Sequence, residues 1–283
     1  DRSVSRGLGD VYKRQDVTLG PIVEFDFDAA ILFSDILFPL DYLGMSLKFN
    51  PGPIFEKNLS SKMISEFNID EFESFIDFQN ISLKHIRNEL SNDKSLIGFT
   101  GGPVTLYHFA TRNNPVSQTL FQQTLSVLEM LIQKNIQIQL QNDIDLLMIF
   151  DTEANKLNDK DFDEFVIPFL IKISNSYPNK IGYFTKEISQ TKFNKLQKLE
   201  NLKLTVLGTN LEVFTELPKT HLSLQGNFSN DLLTLEDTKS FSDSIDKYID
   251  KCLQYEPSHR SGWIASLDHG VRKTTPEANV HLF

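Results

Sequence analysis

The sequence predicts an α/β protein in which parallel strands alternate with helices. Three observations carry this: apolar runs of strand length, amphipathic stretches of helical period between them, and polar residues gathered where the runs end. Strand, crossover helix, strand is the order that builds a parallel sheet. Candidate strands are Ala29–Phe33, Leu96–Thr100, Leu146–Phe150, Ile181–Thr185, Leu204–Gly208, Leu222–Gln225 and Trp263–Leu267. The first lies in the run from Asp28 to Leu40 (DAAILFSDILFPL), whose near-continuous apolar character reads as a strand buried on both faces. That run holds one internal carboxylate, Asp35. A charge there is costly to bury without a partner, so Asp35 caps the next turn, pairs with a base or binds a ligand.

The helices follow from periodicity. Ser117–Gln133 sets Leu120, Phe121, Leu125, Leu128 and Leu131 at helical spacing. Asp159–Ser174 brings Phe162, Phe165, Val166, Phe169, Leu170 and Ile173 to one face, and Asp237–Leu253 does so with Phe241, Ile245, Tyr248, Ile249 and Leu253. Asn158 ahead of Asp159, Asp161 and Asp163 is a helix start, with acidic residues at the positive end of the dipole. Seven strands fall one short of an eight-stranded (β/α) barrel. A doubly wound open sheet has a similar rhythm, but no Gly-x-Gly-x-x-Gly follows the first strand, as a dinucleotide fold would usually require. The count therefore points to a (β/α)8 TIM barrel one strand short, with an open sheet as the other arrangement of the same rhythm.

Residues 1–15 (DRSVSRGLGDVYKRQ) stand apart. They are polar, carry four basic residues against two acidic, and show no periodicity. They read as a non-native or disordered tail, which leaves residues 16–283 as the folded chain, a length that suits one α/β barrel or two smaller domains. The 283 residues, 40% hydrophobic, can bury a large core. A formal net charge of −10 argues against a nucleic-acid partner, since no basic stripe is available to replace counterions. One cysteine, Cys252, excludes an internal disulfide and a multi-cysteine metal site. No apolar run approaches the roughly 18 to 20 residues that span a bilayer. A soluble, cytoplasmic protein with no membrane partner is expected.

The strand ends form a set: Ser34-Asp35, Gly101-Gly102-Pro103, Asp151-Thr152, Lys186, Asn210, Gln225-Gly226-Asn227 and Asp268-His269-Gly270. In a (β/α) barrel such C-terminal ends converge on the face that carries active sites.

At these residues the chain resembles a known family. The run Phe25–Leu37 (FDFDAAILFSDIL) with Leu43-Gly44-Met45, and Leu96–Leu106 (LIGFTGGPVTL), are similar to uroporphyrinogen decarboxylases. So are Ile149–Thr152, Tyr183–Lys186, Leu224–Asn227, Leu267–Gly270 and Thr275-Pro276-Glu277, in the family's order. The resemblance, which covers residues 16–283, implies a single (β/α)8 TIM barrel that is incomplete here, with its first strand and last helix lacking, a homodimer, and a carboxy-lyase that works without metal or organic cofactor on a tetrapyrrole substrate, uroporphyrinogen. Asp35 matches the carboxylate expected to hold the pyrrole N–H groups, and Phe33 lies beside it in the same segment. Thr152 stands where the family has a serine that hydrogen-bonds a substrate carboxylate, and His269 matches a histidine near the pocket mouth. Phe109 occupies the position of the family's active-site tyrosine. Among basic residues that would meet an octacarboxylate, Arg112, Lys186 and Arg272-Lys273 are candidates, and Arg272 is the one singled out.

Departures stand beside the matches. The family's Arg-Gln-Ala-Gly-Arg signature is absent, Asn210 replaces an aspartate, Asp268 replaces a glycine, and the stretch from Asn113 to Asp143 is shorter than usual. An open barrel that lacks its first strand and that arginine pair leads to the expectation that this chain by itself is inactive. Phe109, Asp268 and the shortened stretch also keep open a degenerate paralogue that binds a tetrapyrrole or a protein partner without catalysis. A zinc-dependent methyltransferase on the same barrel needs His-x-Cys and a further Cys, which Cys252 alone does not supply.

Overall fold

The computed structural model describes residues 8–50, 52–111 and 118–283, and divides the chain into two compact units, Asp1–Glu153 and Ala154–Phe283. The sequence leads to one domain over residues 16–283. Parallel βα repeats make most of their contacts with their neighbours in sequence, and the division falls between two such repeats.

The first unit opens its sheet with β1 (Ala29–Ile31) and then forms an antiparallel hairpin of β2 (Leu47–Phe49) and β3 (Pro53–Phe55). Strands β4 (Ser95–Gly101) and β5 (Leu146–Phe150) run parallel to β1, with β4 in the middle. The second unit holds β6 (Ile181–Phe184), β7 (Leu202–Val206), β8 (Ser223–Gln225) and β9 (Trp263–Ile264), parallel and in sequence order. Each predicted strand is found, several of them shorter at the C-terminal end. The last predicted strand keeps only Trp263 and Ile264 as a ladder, with Leu267 in an isolated bridge to Phe228.

Among the elements that go beyond the sequence reading are the following three. The β2–β3 hairpin is too short for periodicity to reveal. The helix Ile69–Glu89 is long, capped by the Asn68 side chain on the Asp70 amide at 3.0 Å, and buries Phe72, Ile76, Leu83 and Ile86 on one stripe. The helix Leu8–Phe25 crosses the boundary drawn at residue 16. Residues 8–15 lack an apolar stripe, yet this helix packs through amphipathic side chains. The Arg14 guanidinium lies 4.2 Å over the Phe78 ring, and the Tyr12 ring lies 5.9 Å from that of His85. Residues 1–7 lie outside the described residues.

The helix predicted from residue 117 is described from Gln118 and runs on to Leu140, because Ile132, Ile136 and Gln139 extend the buried stripe. The region Asp159–Ser176 begins with Asn158 capping the Asp161 amide at 2.9 Å, then passes through a π-helical turn at Phe162–Val166 before Ile167–Ser176. The helix Thr238–Leu253 starts one residue after its cap, Asp237, whose carboxyl is held below the ordinary carboxylate range by the Ser240 hydroxyl and amide. Among the described residues, no helix is long and apolar enough to cross a membrane.

The first strand departs from the expected two-sided burial. Ala30 and Leu32 are buried, but Ile31 and Phe33 are 50% and 44% exposed. By the strand pairing, Ile31, Ile97 and Phe99 share a face, and Phe150 stands on that face opposite Gly101. Ile97, Phe99 and Phe150 are half-buried, so this face is apolar and partly open.

Candidate active site at the strand ends

In the first unit, the chain leaving β1 is fixed residue by residue. The Leu32 amide donates to the Ile97 carbonyl at 2.9 Å, and the Phe33 amide to the Thr18 hydroxyl at 2.9 Å. Ser34 accepts from the Gln79 side-chain amide at 2.9 Å. Asp35 Oδ1 accepts from the Leu37 amide at 2.8 Å, an Asx turn that gives the half-buried carboxylate a defined position. Turn cap and ligand site are thus not exclusive readings. The cap sets where the carboxylate stands, four residues beyond Ile31 on the partly open apolar face.

At the ends of β4 and β5 a second constellation forms. Asp151 is fully buried, and its Oδ1 accepts from the Thr105 amide in the first turn of the helix Pro103–Thr111 at 2.7 Å. A carboxylate is favoured there by the N–H groups and the helix dipole. Gly102 permits this approach, because a Cβ at that position would stand 2.6 Å from Asp151 Oδ1 and nearer still to its carbons. The Thr105 hydroxyl accepts from the Glu153 amide at 3.1 Å, which draws the turn beginning at Thr152 towards this helix. Thr152 is half-buried. Phe109, also half-buried, lies on the same helix with its ring 6.1 Å from that of His108, whose Nδ1 is 3.6 Å from Glu153 Oε2. The helix that carries Phe109 and the turn that begins at Thr152 are thus joined through Thr105, His108 and Glu153. Tyr107 next to Phe109 turns instead to Phe121, with ring centroids 4.8 Å apart, and burial pushes its phenol up.

In the second unit, His269 is exposed at the end of the β9 segment. Its Nδ1 accepts from the Gly270 amide at 2.8 Å, and its ring stands edge-on to Phe184 at 6.1 Å. Asp268, a departure at a glycine position, serves the local structure. Its Oδ1 accepts from the Asn230 amide at 2.8 Å, while the Asn230 side chain donates to the Gly270 carbonyl at 2.9 Å. Asn210 likewise donates to the Ile188 carbonyl at 2.6 Å. Asn227 ties its side chain to the carbonyls of Gly208 and Leu211 at 2.9 and 2.7 Å. The preceding Gly226 carbonyl accepts from Tyr248 at 3.1 Å and from Trp263 at 2.7 Å.

The basic candidates fare unevenly. Arg272 is half exposed and ion-paired with Asp231, so its charge is already directed to a surface carboxylate. Lys186 is exposed after β6. Arg112 lies outside the described residues. A cation that the sequence does not mark is Lys192, 4% exposed, which donates to the carbonyls of Ala154, Asn155 and Leu157 at 3.3, 2.7 and 2.6 Å. Burial pushes its ammonium below the ordinary lysine range. No spacing in the sequence points to it, since its partners are backbone carbonyls.

Comparison with known proteins gives these strand ends their context. The family model for uroporphyrinogen decarboxylase (URO-D) matches residues 10–283. The chain belongs to this family. A uroporphyrinogen decarboxylase of Orientia tsutsugamushi is 31% identical, over 96% of this chain and 83% of that protein. One from Geotalea daltonii is 28% identical, over 94% and 82%. Among solved structures, a methyltransferase from Methanosarcina mazei superposes with a TM-score of 0.72 at 15% identity, covering 99% of this chain and 87% of that one. At that identity the likeness shows the fold, which is the (β/α) barrel class expected from the alternation of strands and helices. Family membership agrees with the resemblance carried by the segments around Asp35 and Gly102, and it gives uroporphyrinogen decarboxylation as the chemistry.

Proposed function

We propose that the family reaction, removal of the four acetate carboxyls of uroporphyrinogen as CO2 to give coproporphyrinogen in tetrapyrrole biosynthesis, is the function of this protein, with Asp35 as the central catalytic carboxylate. Each acetate hangs from a pyrrole that must first become an electron sink. Protonation of a ring carbon gives a cationic pyrrole. The electron pair of the breaking C–C bond then flows into that cation, CO2 leaves, and a methylene remains on the ring. A proton added to the methylene makes the methyl, and loss of the proton from the ring carbon restores the pyrrole. The net change per acetate is one CO2 released and one proton taken up.

A fixed carboxylate serves this sequence in two ways. It accepts hydrogen bonds from the pyrrole N–H groups, and its charge stabilises the cation without reorganising at the moment of reaction. The observation that carries the reading is the placement of Asp35: anchored by the Leu37 amide at 2.8 Å, half-buried, and just past the strand whose Ile31 joins Ile97 and Phe99 in an apolar face that suits a flat macrocycle. In this reading Thr152 donates its hydroxyl to a peripheral carboxylate. Phe109 adds apolar surface where the family tyrosine would add a donor. The protein works without metal or organic cofactor, as a cytoplasmic homodimer.

The test compares Asp35→Ala with Asp35→Glu. Turnover is followed by chromatographic separation of uroporphyrin from coproporphyrin after oxidation, and binding by fluorescence titration with uroporphyrin. The alanine variant is expected to lose turnover by at least about 100-fold and to bind at least about tenfold more weakly, the scale of removing a preorganised charge. The glutamate variant should retain part of both. An alanine variant with undiminished affinity and rate sinks the assignment.

A further inference from the structure

We infer that Gln79 is a positioning residue for Asp35, acting through the Ser34 hydroxyl from behind the strand. This inference rests on the role proposed for Asp35.

The helix Ile69–Glu89 packs through Phe72, Ile76, Leu83 and Ile86, each 0% exposed. Steps of three and four residues link these positions only if position 79 belongs to the same stripe. That position holds a glutamine that is 1% exposed. A leucine would be the ordinary occupant of such a stripe. The amide is only partly satisfied there: Nε2 donates to Ser34 Oγ at 2.9 Å, while Oε1 is buried with no hydrogen-bond partner among the described residues. An orphaned buried carbonyl oxygen is a cost that packing alone does not explain.

What the amide gains is control of one residue. By occupying a lone pair of Ser34, it fixes the side chain immediately before Asp35, 45 positions away in sequence. On the other side of the carboxylate, the Leu37 amide holds Asp35 Oδ1. The turn carrying Asp35 is therefore clamped before and after, and the forward clamp is local whereas the rear one comes from another element. A carboxylate that must meet several pyrrole N–H groups at hydrogen-bond distance is sensitive to small displacements, so loss of the rear clamp should be felt as weaker recognition.

The decisive variant is Gln79→Leu, which removes the orphaned oxygen and completes the apolar stripe. A merely structural glutamine and a positioning one then predict different results. The expected outcome is a melting temperature equal to or above that of the unaltered chain, together with uroporphyrin affinity reduced about fivefold. Ser34→Ala, at a half-buried site that tolerates truncation, should reproduce the affinity loss, and the double variant Gln79→Leu/Ser34→Ala should be no weaker than either single one. In an Asp35→Ala background, Gln79→Leu should cause no further loss. Wild-type affinity in a stable Gln79→Leu protein overturns the inference, as does a loss that multiplies with Asp35→Ala. Should Gln79→Leu not fold, unaltered binding by Ser34→Ala overturns it equally. If Asp35→Ala alone leaves binding intact, it is the role of Asp35 that fails, and the inference falls with it.

Discussion

Replacing Gly102 with alanine tests the geometry at the ends of β4 and β5. The added Cβ would lie 2.6 Å from Asp151 Oδ1, well inside contact distance, and nearer to the Asp151 carbons. Asp151 is fully buried and already holds the Thr105 amide at 2.7 Å, so it has no open side to retreat into. Two losses combine. Forcing a methyl into a packed interior costs about 1 to 3 kcal/mol. Pulling a charged acceptor off the helix amide costs about 1.5 to 3 kcal/mol. Together they amount to about 4 kcal/mol, large against the marginal stability of folded domains. The assay is urea unfolding followed by far-UV circular dichroism, comparing midpoints at constant slope. Gly270→Ala serves as the control: nothing lies within 4 Å of a Cβ there and its backbone is not in the left-handed region, so alanine should be neutral or stabilise by up to about 1 kcal/mol. A Gly102→Ala protein as stable as the control would refute the argument that this glycine exists to admit the Asp151 carboxylate.

Two further outcomes concern buried polar groups. Burial pushes the Tyr248 phenol up to about 12, while its hydroxyl serves Gly226 and Asn227. A phenol raised above its unfolded value, about 10, contributes stability that is full below that value and lost as pH rises through the folded one. The urea midpoint should fall over that window, and Tyr248→Phe should flatten the decline. Lys192→Met leaves three backbone carbonyls of the Ala154–Leu157 turn without their ammonium. A loss of about 3 kcal/mol is expected, from the cost of abandoned buried acceptors and a charged donor, and an unchanged urea midpoint would contradict it.

Much of the fold was legible because its signals are local. Alternation of apolar runs with helical stripes located every parallel strand, and Asn158 marked a helix start by ordinary capping chemistry. The hairpin at Leu47–Phe55 escaped because three-residue strands carry no measurable period. The helix Leu8–Phe25 escaped because Arg14 and Tyr12 pack through stems and rings, which a hydrophobic pattern does not register. Exposure of Ile31 and Phe33 was hidden as well, since an apolar run looks the same whether one face or two are covered.

The site divides along the same line. By itself, the sequence determined the family and the neighbourhood of the proposed catalytic carboxylate, because motif segments such as Phe25–Leu37 and Leu96–Leu106 are contiguous and need no folding to be read. Only tertiary structure decided what those residues touch. It provided Asp268 and Asn210 with structural bonds, turned Arg272 towards Asp231, and brought Gln79 to Ser34 across 45 positions. Such pairings depend on which side chain an element presents to which neighbour. That information is absent from spacing and arises only when helices pack on the sheet.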